Sequence, residues 1–235
     1  MEKLIFKYNV KEDGEDYYLT PKTSHTETLI WLHGLGDTAQ GFFPVFSSNL
    51  NPCFPTTKIV LLTAPIRPVT INMGMSFHSW YDIRDLRFDP SNFEKAVSLA
   101  EVNDSIERVN KVIEKEAEIL KGDYKKIAVG GFSQGCSISL SCGLQFNKSL
   151  GAIIGLSGVL FPNVVINKEN EKTPILLSHG RLDPLIPCAM AEKSYQKLDK
   201  KINNFKLLID EKLDHGLGQD SLKWMREFWS EVFKN

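Results

Sequence analysis

The stretch KIAVGGFSQG, Lys126 to Gly135, decides how this 235-residue chain is read. Ile127-Ala128-Val129 is a short apolar run that reads as a buried strand, and Gly131, Ser133 and Gly135 directly after it form the pattern Gly-x-Ser-x-Gly. Small residues on both sides of a serine allow a tight strand-to-helix turn that leaves the hydroxyl exposed at the top of a sheet, placed as a nucleophile. The same pentapeptide also serves as an ordinary glycine-rich turn, so the rest of the chain must supply a base and an acid.

Beyond Ser133, the residues Cys136, Ile138, Leu140, Cys142 and Leu144 alternate with small ones at the period of a strand. A helix packed on both sides is apolar all round, and serines between can return their hydroxyls to carbonyls one turn back, so a helix is expected from Gln134 to about Phe146. Upstream, Thr28 to Leu32 is a continuous apolar run that stops at His33-Gly34-Leu35-Gly36-Asp37, as a central strand would on reaching a functional loop. A helix within Gly41 to Asn51 and a second buried strand, Lys58 to Pro65, follow. Residues 1–27 hold two weaker strand candidates, Leu4 to Val10 and Tyr17 to Leu19, around a polar turn Lys11 to Asp16, which reads as an antiparallel edge hairpin.

From Ile66 to Pro90 no period is visible, which is long for a connection and marks a loop close to the substrate. Its Met73, Met75, Phe77 and Trp80 read as an apolar wall for a substrate, or as anchors pinning the loop to the core. Ser91-Asn92-Phe93-Glu94 then offers a capping box for a long amphipathic helix carrying Val102, Ile106, Val109, Ile113, Ala117 and Leu120. On its polar face Glu107, Arg108, Lys111, Glu114, Lys115 and Glu118 read as solvated charge. Strand-like runs recur at Ala152 to Leu156, Pro174 to Ser178 and Phe205 to Ile209, with helical stretches at Pro187 to Leu198 and Ser221 to Phe233. Repeated strand-helix order predicts a single α/β domain over residues 1–235, with a mostly parallel central sheet and helices on both faces.

Composition narrows the function. The 28 basic and 29 acidic residues nearly cancel, leaving no electrostatic footprint for nucleic acid or for an anionic membrane as the main partner. Cys53, Cys136, Cys142 and Cys188 lack CxxC spacing and read as reduced packing residues. The first residues meet charge too often for a secretory segment, and no run reaches the roughly 18 apolar residues of a membrane span. A cytoplasmic protein with no transmembrane segment and at most peripheral membrane contact is expected.

A serine hydroxyl is a weak nucleophile at neutral pH; it needs a general base, and the base a carboxylate that fixes its tautomer. Asp183 lies between the run ending at Ser178 and a proline-started helix, and His215 follows the last strand candidate. The order Ser133, Asp183, His215 is the one in which α/β-hydrolases place nucleophile, acid and base. Among the other histidines, His25 lies in a polar loop, His33 closes a strand before the nucleophile, and His78 sits in the irregular loop. His179 is the serious rival, yet it directly follows a strand and is expected to pack or hydrogen-bond under the acid loop. Asp210 and Asp214 lie near His215 in sequence, but neither follows a separate strand.

Gly131-Phe132-Ser133-Gln134-Gly135, Leu32-His33-Gly34-Leu35-Gly36-Asp37-Thr38, Ser79-Trp80-Tyr81-Asp82, His179-Gly180 with Asp183-Pro184, and Asp214-His215 together resemble the acyl-protein thioesterase family, also called phospholipase/carboxylesterase. The resemblance runs from about Thr28 to the C-terminus. It implies the α/β-hydrolase fold, a Ser133-Asp183-His215 triad, oxyanion amides at Leu35 and Gln134, and an acyl-chain site along Met73 to Trp80. It also implies two-step acyl transfer with no metal or organic cofactor, acting on S-acylated protein or lipid ester. A long-chain (palmitoyl-protein) thioesterase is the leading expectation, with a carboxylesterase or lysophospholipase next and a silent acyl-binding protein last. The chain departs from the family where a proline usually precedes Ser-Trp: here Phe77 and His78 stand. Arg181 and the N-terminal extension also lie outside the family's core pattern.

Overall fold

The structure, a computed structural model, describes residues 7–86, 91–199, 201–202 and 204–234. The chain opens with β1 (Tyr8–Asp13) and β2 (Asp16–Pro21), paired antiparallel through Asp13 and Asp16. The expected polar turn Lys11 to Asp16 is thus mostly strand. The reversal takes only Gly14 and Glu15, with Gly14 at φ 63°, a backbone state open to glycine at little cost. Leu4 to Phe6, also expected in the first strand, lie outside the described residues.

The apolar runs become β3 (Glu27–Leu32), β4 (Thr57–Leu62), β7 (Ile127–Phe132), β8 (Ala152–Leu156), β9 (Ile175–Gly180) and β10 (Phe205–Asp210), all parallel, while β5 (Ile66–Val69) and β6 (Met75–His78) form a separate hairpin. The eight-stranded sheet has the order β1-β2-β4-β3-β7-β8-β9-β10. Successive side chains of a strand point to opposite faces. Accordingly Ile30, Leu32, Val60 and Val129 join one core while Leu29, Trp31, Ile59 and Ala128 join the other. Phe42 and Phe46 of α1 (Ala39–Ser47) and Met225 and Trp229 of α6 (Gln219–Val232) cover the second core. The first is covered by α3 (Leu99–Ile119), α4 (Gln134–Gln145) and α5 (Cys188–Asp199). Both faces being covered explains why β3 and β4 read as unbroken apolar runs.

Three expectations require correction. The stretch expected to be irregular contains a two-stranded antiparallel hairpin, β5 (Ile66–Val69) with β6 (Met75–His78), outside the main sheet. Its strands are short and largely exposed, so no alternation of buried and exposed residues marks them. The tip turns through Met73 and Gly74, both at positive φ. Residues 87–90 of that stretch lie outside the described residues. The proposed capping box at Ser91 to Glu94 does not start the long helix either. A single turn, α2 (Phe93–Ala96), ends at extended Val97, and α3 begins after Ser98.

Arg108 is the third correction. It is no solvated charge: its guanidinium donates to both carboxylate oxygens of Asp16 at 2.9 Å and to the Thr63 carbonyl at 2.6 Å. Asp16 Oδ1 also accepts from the Thr63 amide at 2.7 Å, so the N-terminal hairpin is tied to the end of β4.

At the opposite end of β4, Lys58 Nζ lies 2.5 Å from Glu116 Oε1, and Thr28 donates to the other carboxylate oxygen at 3.3 Å. Glu116 is fully buried and Lys58 nearly so. Removing one member of a buried pair strands the other charge, whereas removing both removes the need for solvation. Lys58→Met is therefore expected to lower the unfolding free energy by about 3–5 kcal/mol, and Lys58→Met combined with Glu116→Leu by less than the single change, as read from urea titrations.

His33, at the end of β3, is buried and neutral in the fold. Its Nε2 accepts from the Ala64 amide at 2.9 Å, which leaves Nδ1–H to donate to the Gly34 carbonyl at 2.6 Å. Burial, only partly offset by the Gly34 bond and by Asp37, pushes its pKa from 6.5 down to about 4. The unfolded chain therefore binds this proton first as pH falls. Stability from His33 is whole above pH 6.5 and is lost toward pH 4, by roughly 3 kcal/mol. Denaturant titrations across that window should show a shallower pH dependence for His33→Gln than for the wild-type chain.

Candidate active site

Ser133 sits between β7 and α4 with φ 54° and ψ −116°, a backbone state that an L residue holds only when its surroundings impose it. The surroundings are explicit. A Cβ on Gly131 would lie 2.5 Å from the Gly135 carbonyl, and one on Gly135 would lie 2.3 Å from the Leu32 oxygen and 2.5 Å from the His33 oxygen. Glycine at both positions lets the start of α4 close onto the end of β3, and the Ser133 amide donates to the Leu156 carbonyl at 2.8 Å. The serine is thereby pinned between two neighbouring strand ends.

Asp183 follows β9 in a turn where its Oδ1 accepts from the amides of Leu185 and Ile186 at 2.9 and 2.8 Å, an aspartate capping its own turn. That leaves Oδ2, 2.7 Å from His215 Nδ1. His215 comes from the loop after β10, and its Nε2 lies 2.8 Å from Ser133 Oγ. The two loops are joined by backbone bonds, Arg181 to Asp210 at 2.8 Å and Leu182 to Leu213 at 3.0 Å. Phe132 packs against the His215 ring with centroids 5.1 Å apart. The structure thus joins the three residues into one hydrogen-bonded chain whose carboxylate is buried and whose hydroxyl faces a cavity.

The rivals are occupied elsewhere. His179 is buried beneath the acid loop, its Nε2 donating to the Ile186 carbonyl at 2.8 Å and lying 3.3 Å from Asp183 Oδ2. Burial, opposed by that hydrogen bond and by Asp183, lowers its pKa and keeps it neutral. His25 bonds Thr28, and Asp210 caps its own turn through the Lys212 amide. His78 donates from Nδ1 to the Ala64 carbonyl, and Asp214 is exposed. Arg181 grips Glu211 with two bonds of 3.1 Å at the surface.

A cavity of about 350 Å³ opens beside Ser133 and His215. Gly34, Leu35 and Gln134 line it, and among the described residues no acceptor bonds the backbone amides of Leu35 or Gln134. Its apolar wall differs from the one expected. Met73, at 87% exposed, and Met75, at 49%, stand on the β5–β6 hairpin, and Phe77 is not in the lining. Trp80 is wholly buried because its indole N–H finds the His33 carbonyl at 2.9 Å, which draws the ring into the core. Ile71, Tyr81, Ile83, Leu86, Val159 and Leu185 form the wall instead. Val159 and Leu185 lie in loops just beyond β8 and β9, where open α/β sheets gather their ligands, so strand ends were the signal to follow.

A half-buried serine hydrogen-bonded to an imidazole, itself fixed by a buried carboxylate and set beside free amides, suits acyl transfer. Known proteins show the same arrangement of chain. The sequence is 34% identical over 229 residues to acyl-protein thioesterase 1 of Schizosaccharomyces pombe, covering 91% of this chain and 94% of that one. Against acyl-protein thioesterase 1 of Yarrowia lipolytica it is 34% identical over 222 residues, covering 88% and 93%. SOBER1 of Arabidopsis thaliana superposes with a TM-score of 0.75 at 25% identity, over 88% of this chain and 99% of the other. Acyl-protein thioesterase 2 of Zea mays gives 0.74 at 23% identity, over 92% and 100%, and shares the α/β-hydrolase fold. Among the described residues no helix is long and apolar enough to cross a membrane. A profile of phospholipase/carboxylesterase sequences matches residues 18–233, and with that match the chain belongs to the phospholipase/carboxylesterase family.

Proposed function

We propose that this enzyme is a serine hydrolase that removes long acyl chains from S-acylated proteins through a Ser133 acyl-enzyme. The observation that carries the reading is the unbroken chain from Asp183 Oδ2 to His215 Nδ1 and from His215 Nε2 to Ser133 Oγ, opening on an apolar cavity. The family's thioesterases of known name supply the substrate class.

His215 takes the Ser133 proton as the oxygen attacks the thioester carbonyl, and Asp183 stabilises the imidazolium and holds its tautomer. The amides of Leu35 and Gln134, the second at the N-terminus of α4, hold the oxyanion. Collapse breaks the carbon–sulfur bond, and His215 returns the proton to the departing thiol. Water then attacks the acyl-Ser133 ester, with His215 again as base, and releases the carboxylic acid. Nothing in these steps calls for a metal or organic cofactor.

The same machinery cleaves oxygen esters, and the family's description makes carboxylesterase or lysophospholipase activity the second reading. A silent acyl-binding protein would have no use for a base held at hydrogen-bond distance from a strained serine. Unpaired Cys53, Cys136, Cys142 and Cys188 suit a cytosolic enzyme.

A fluorophosphonate probe is expected to label Ser133 and to leave Ser133→Ala unlabelled; labelling elsewhere, or none on folded protein, defeats the hydrolase reading. Asp183→Asn should lower kcat by roughly 10⁴-fold, because the amide favours the wrong imidazole tautomer. Turnover of an S-palmitoylated peptide should exceed that of lysophospholipid and of a short-chain ester, and the reverse ranking would replace thioesterase by esterase.

A further inference from the structure

Four consecutive residues, His78-Ser79-Trp80-Tyr81, lie between the loop that carries Leu35 and the first turn of α4. On the loop side, the Gly36 amide donates to the His78 carbonyl at 2.9 Å and the Trp80 indole donates to the His33 carbonyl at 2.9 Å, so the two contacts bracket Leu35. On the helix side, the Tyr81 hydroxyl bonds the Ser137 side chain, and the contacts of the segment's backbone and of Ser79 run to the Gln134 side chain. Its Oε1 accepts from the Trp80 amide at 2.8 Å, and its Nε2 donates to the Tyr81 carbonyl at 2.6 Å and to Ser79 Oγ at 3.0 Å. Ser79 Oγ in turn donates to the Tyr81 carbonyl at 2.7 Å. Gln134 is 3% exposed, and Ser79 and Trp80 are fully buried.

The segment is also held from behind. Ser105 Oγ donates to the Trp80 carbonyl at 2.5 Å, the Arg108 guanidinium lies 5.8 Å from the centre of the Trp80 ring, and His78 Nδ1 donates to the Ala64 carbonyl at 2.8 Å. A backbone N–H on one side and a backbone carbonyl on the other fix which way the Gln134 amide points.

We propose that residues 78–81 act as a strap that sets the separation of the Leu35 and Gln134 amides, and that the Gln134 side chain is the positioning residue that locks it. The proposal rests on the reading of those two amides as the oxyanion hole. Gln134 carries the donor and the anchor on one residue, so a shift of the side chain tilts the peptide joining it to Ser133. The strap passes the same constraint to Leu35 through Trp80 and His78. Oxyanion donors must sit at hydrogen-bond distance, about 2.7–3.1 Å, from the developing charge, and misplacement by about 1 Å costs on the order of 10²-fold in rate. A glutamine that served packing alone would have no bearing on that geometry.

Two variants test it. Gln134→Glu keeps an acceptor for the Trp80 amide but loses both donors, and Trp80→Phe keeps a ring but loses the N–H to His33. Kinetics on a thioester substrate, with active sites counted by fluorophosphonate titration, should show kcat falling about 10- to 100-fold in each, with KM within about threefold. Affinity for a long-chain alkyl trifluoromethyl ketone, whose adduct with Ser133 presents an oxyanion, should fall in parallel with kcat/KM. The double variant should lose less than the product of the single losses, because both act on one strap. Unchanged kcat per titrated site, or unchanged ketone affinity, overturns the strap while leaving the hydrolase reading intact. A wild-type enzyme that labels at Ser133 yet does not bind the ketone overturns the oxyanion reading and the strap with it. Should either variant fail to fold, Ser79→Ala, which removes only the bridge between Gln134 and Tyr81, should show the same kcat loss on a smaller scale, and no loss overturns the proposal.

Discussion

The carbonyl oxygens of Leu32 and His33 stand so near Gly135 that a single added carbon would lie 2.3 and 2.5 Å from them. This missing volume lets the first turn of α4 press against the end of β3, and much of the molecule follows from it. Ser133 is forced into a left-handed backbone state at the bend, and the start of α4 comes to rest beside the His33–Asp37 loop. The cavity then lies where strand end, helix start and loop meet. Contacts among Ser133, Gln134 and the loop are consequences of that approach rather than independent inventions.

Polar groups are stationed at the two ends of the parallel strands, where the apolar layers stop. At the ends nearer the cavity, Thr63, Asp16 and Arg108 satisfy one another, while His33 takes the Ala64 amide and the Gly34 carbonyl, and both sets of bonds hold the loops in place. At the other end, Lys58 and Glu116 do so between the sheet and α3. Buried polar atoms without such partners are expensive, so each network restricts how its loop can move. The N-terminal hairpin belongs to this scheme: Asp16 grips the end of β4 although the match to the family begins only at residue 18.

Much of this could be read from residues alone, for definite reasons. Strands buried on both faces must be continuously apolar, so β3, β4 and β7 to β9 announced themselves. The meeting of Ser133, Asp183 and His215 was legible because they follow separate strands, and strand order limits which loops can meet. The β5–β6 hairpin was not legible, since exposed strands carry no hydrophobic period. Arg108 was misread because its partner, Asp16, stands 92 positions earlier in the chain. Trp80 was misread for a related reason: its composition suggested a pocket wall, while the carbonyl of His33 determined where its ring would go. The cavity wall as built, from Tyr81, Ile83 and Val159, depends on loop paths that local pattern does not encode.

The three residues of the hydrogen-bonded chain do not share equal footing in the sheet. Ser133 hangs from β7, which is flanked by β3 and β8, whereas His215 hangs from β10, which among the described residues pairs on one side alone, to β9, and is only partly buried. Edge elements open more readily than central ones. The residue proposed to handle the proton is thus mounted on a more weakly held margin of a sheet whose centre holds the proposed nucleophile. Loss of competence and loss of architecture are then separate events, with the edge able to peel and return while the serine stays in place.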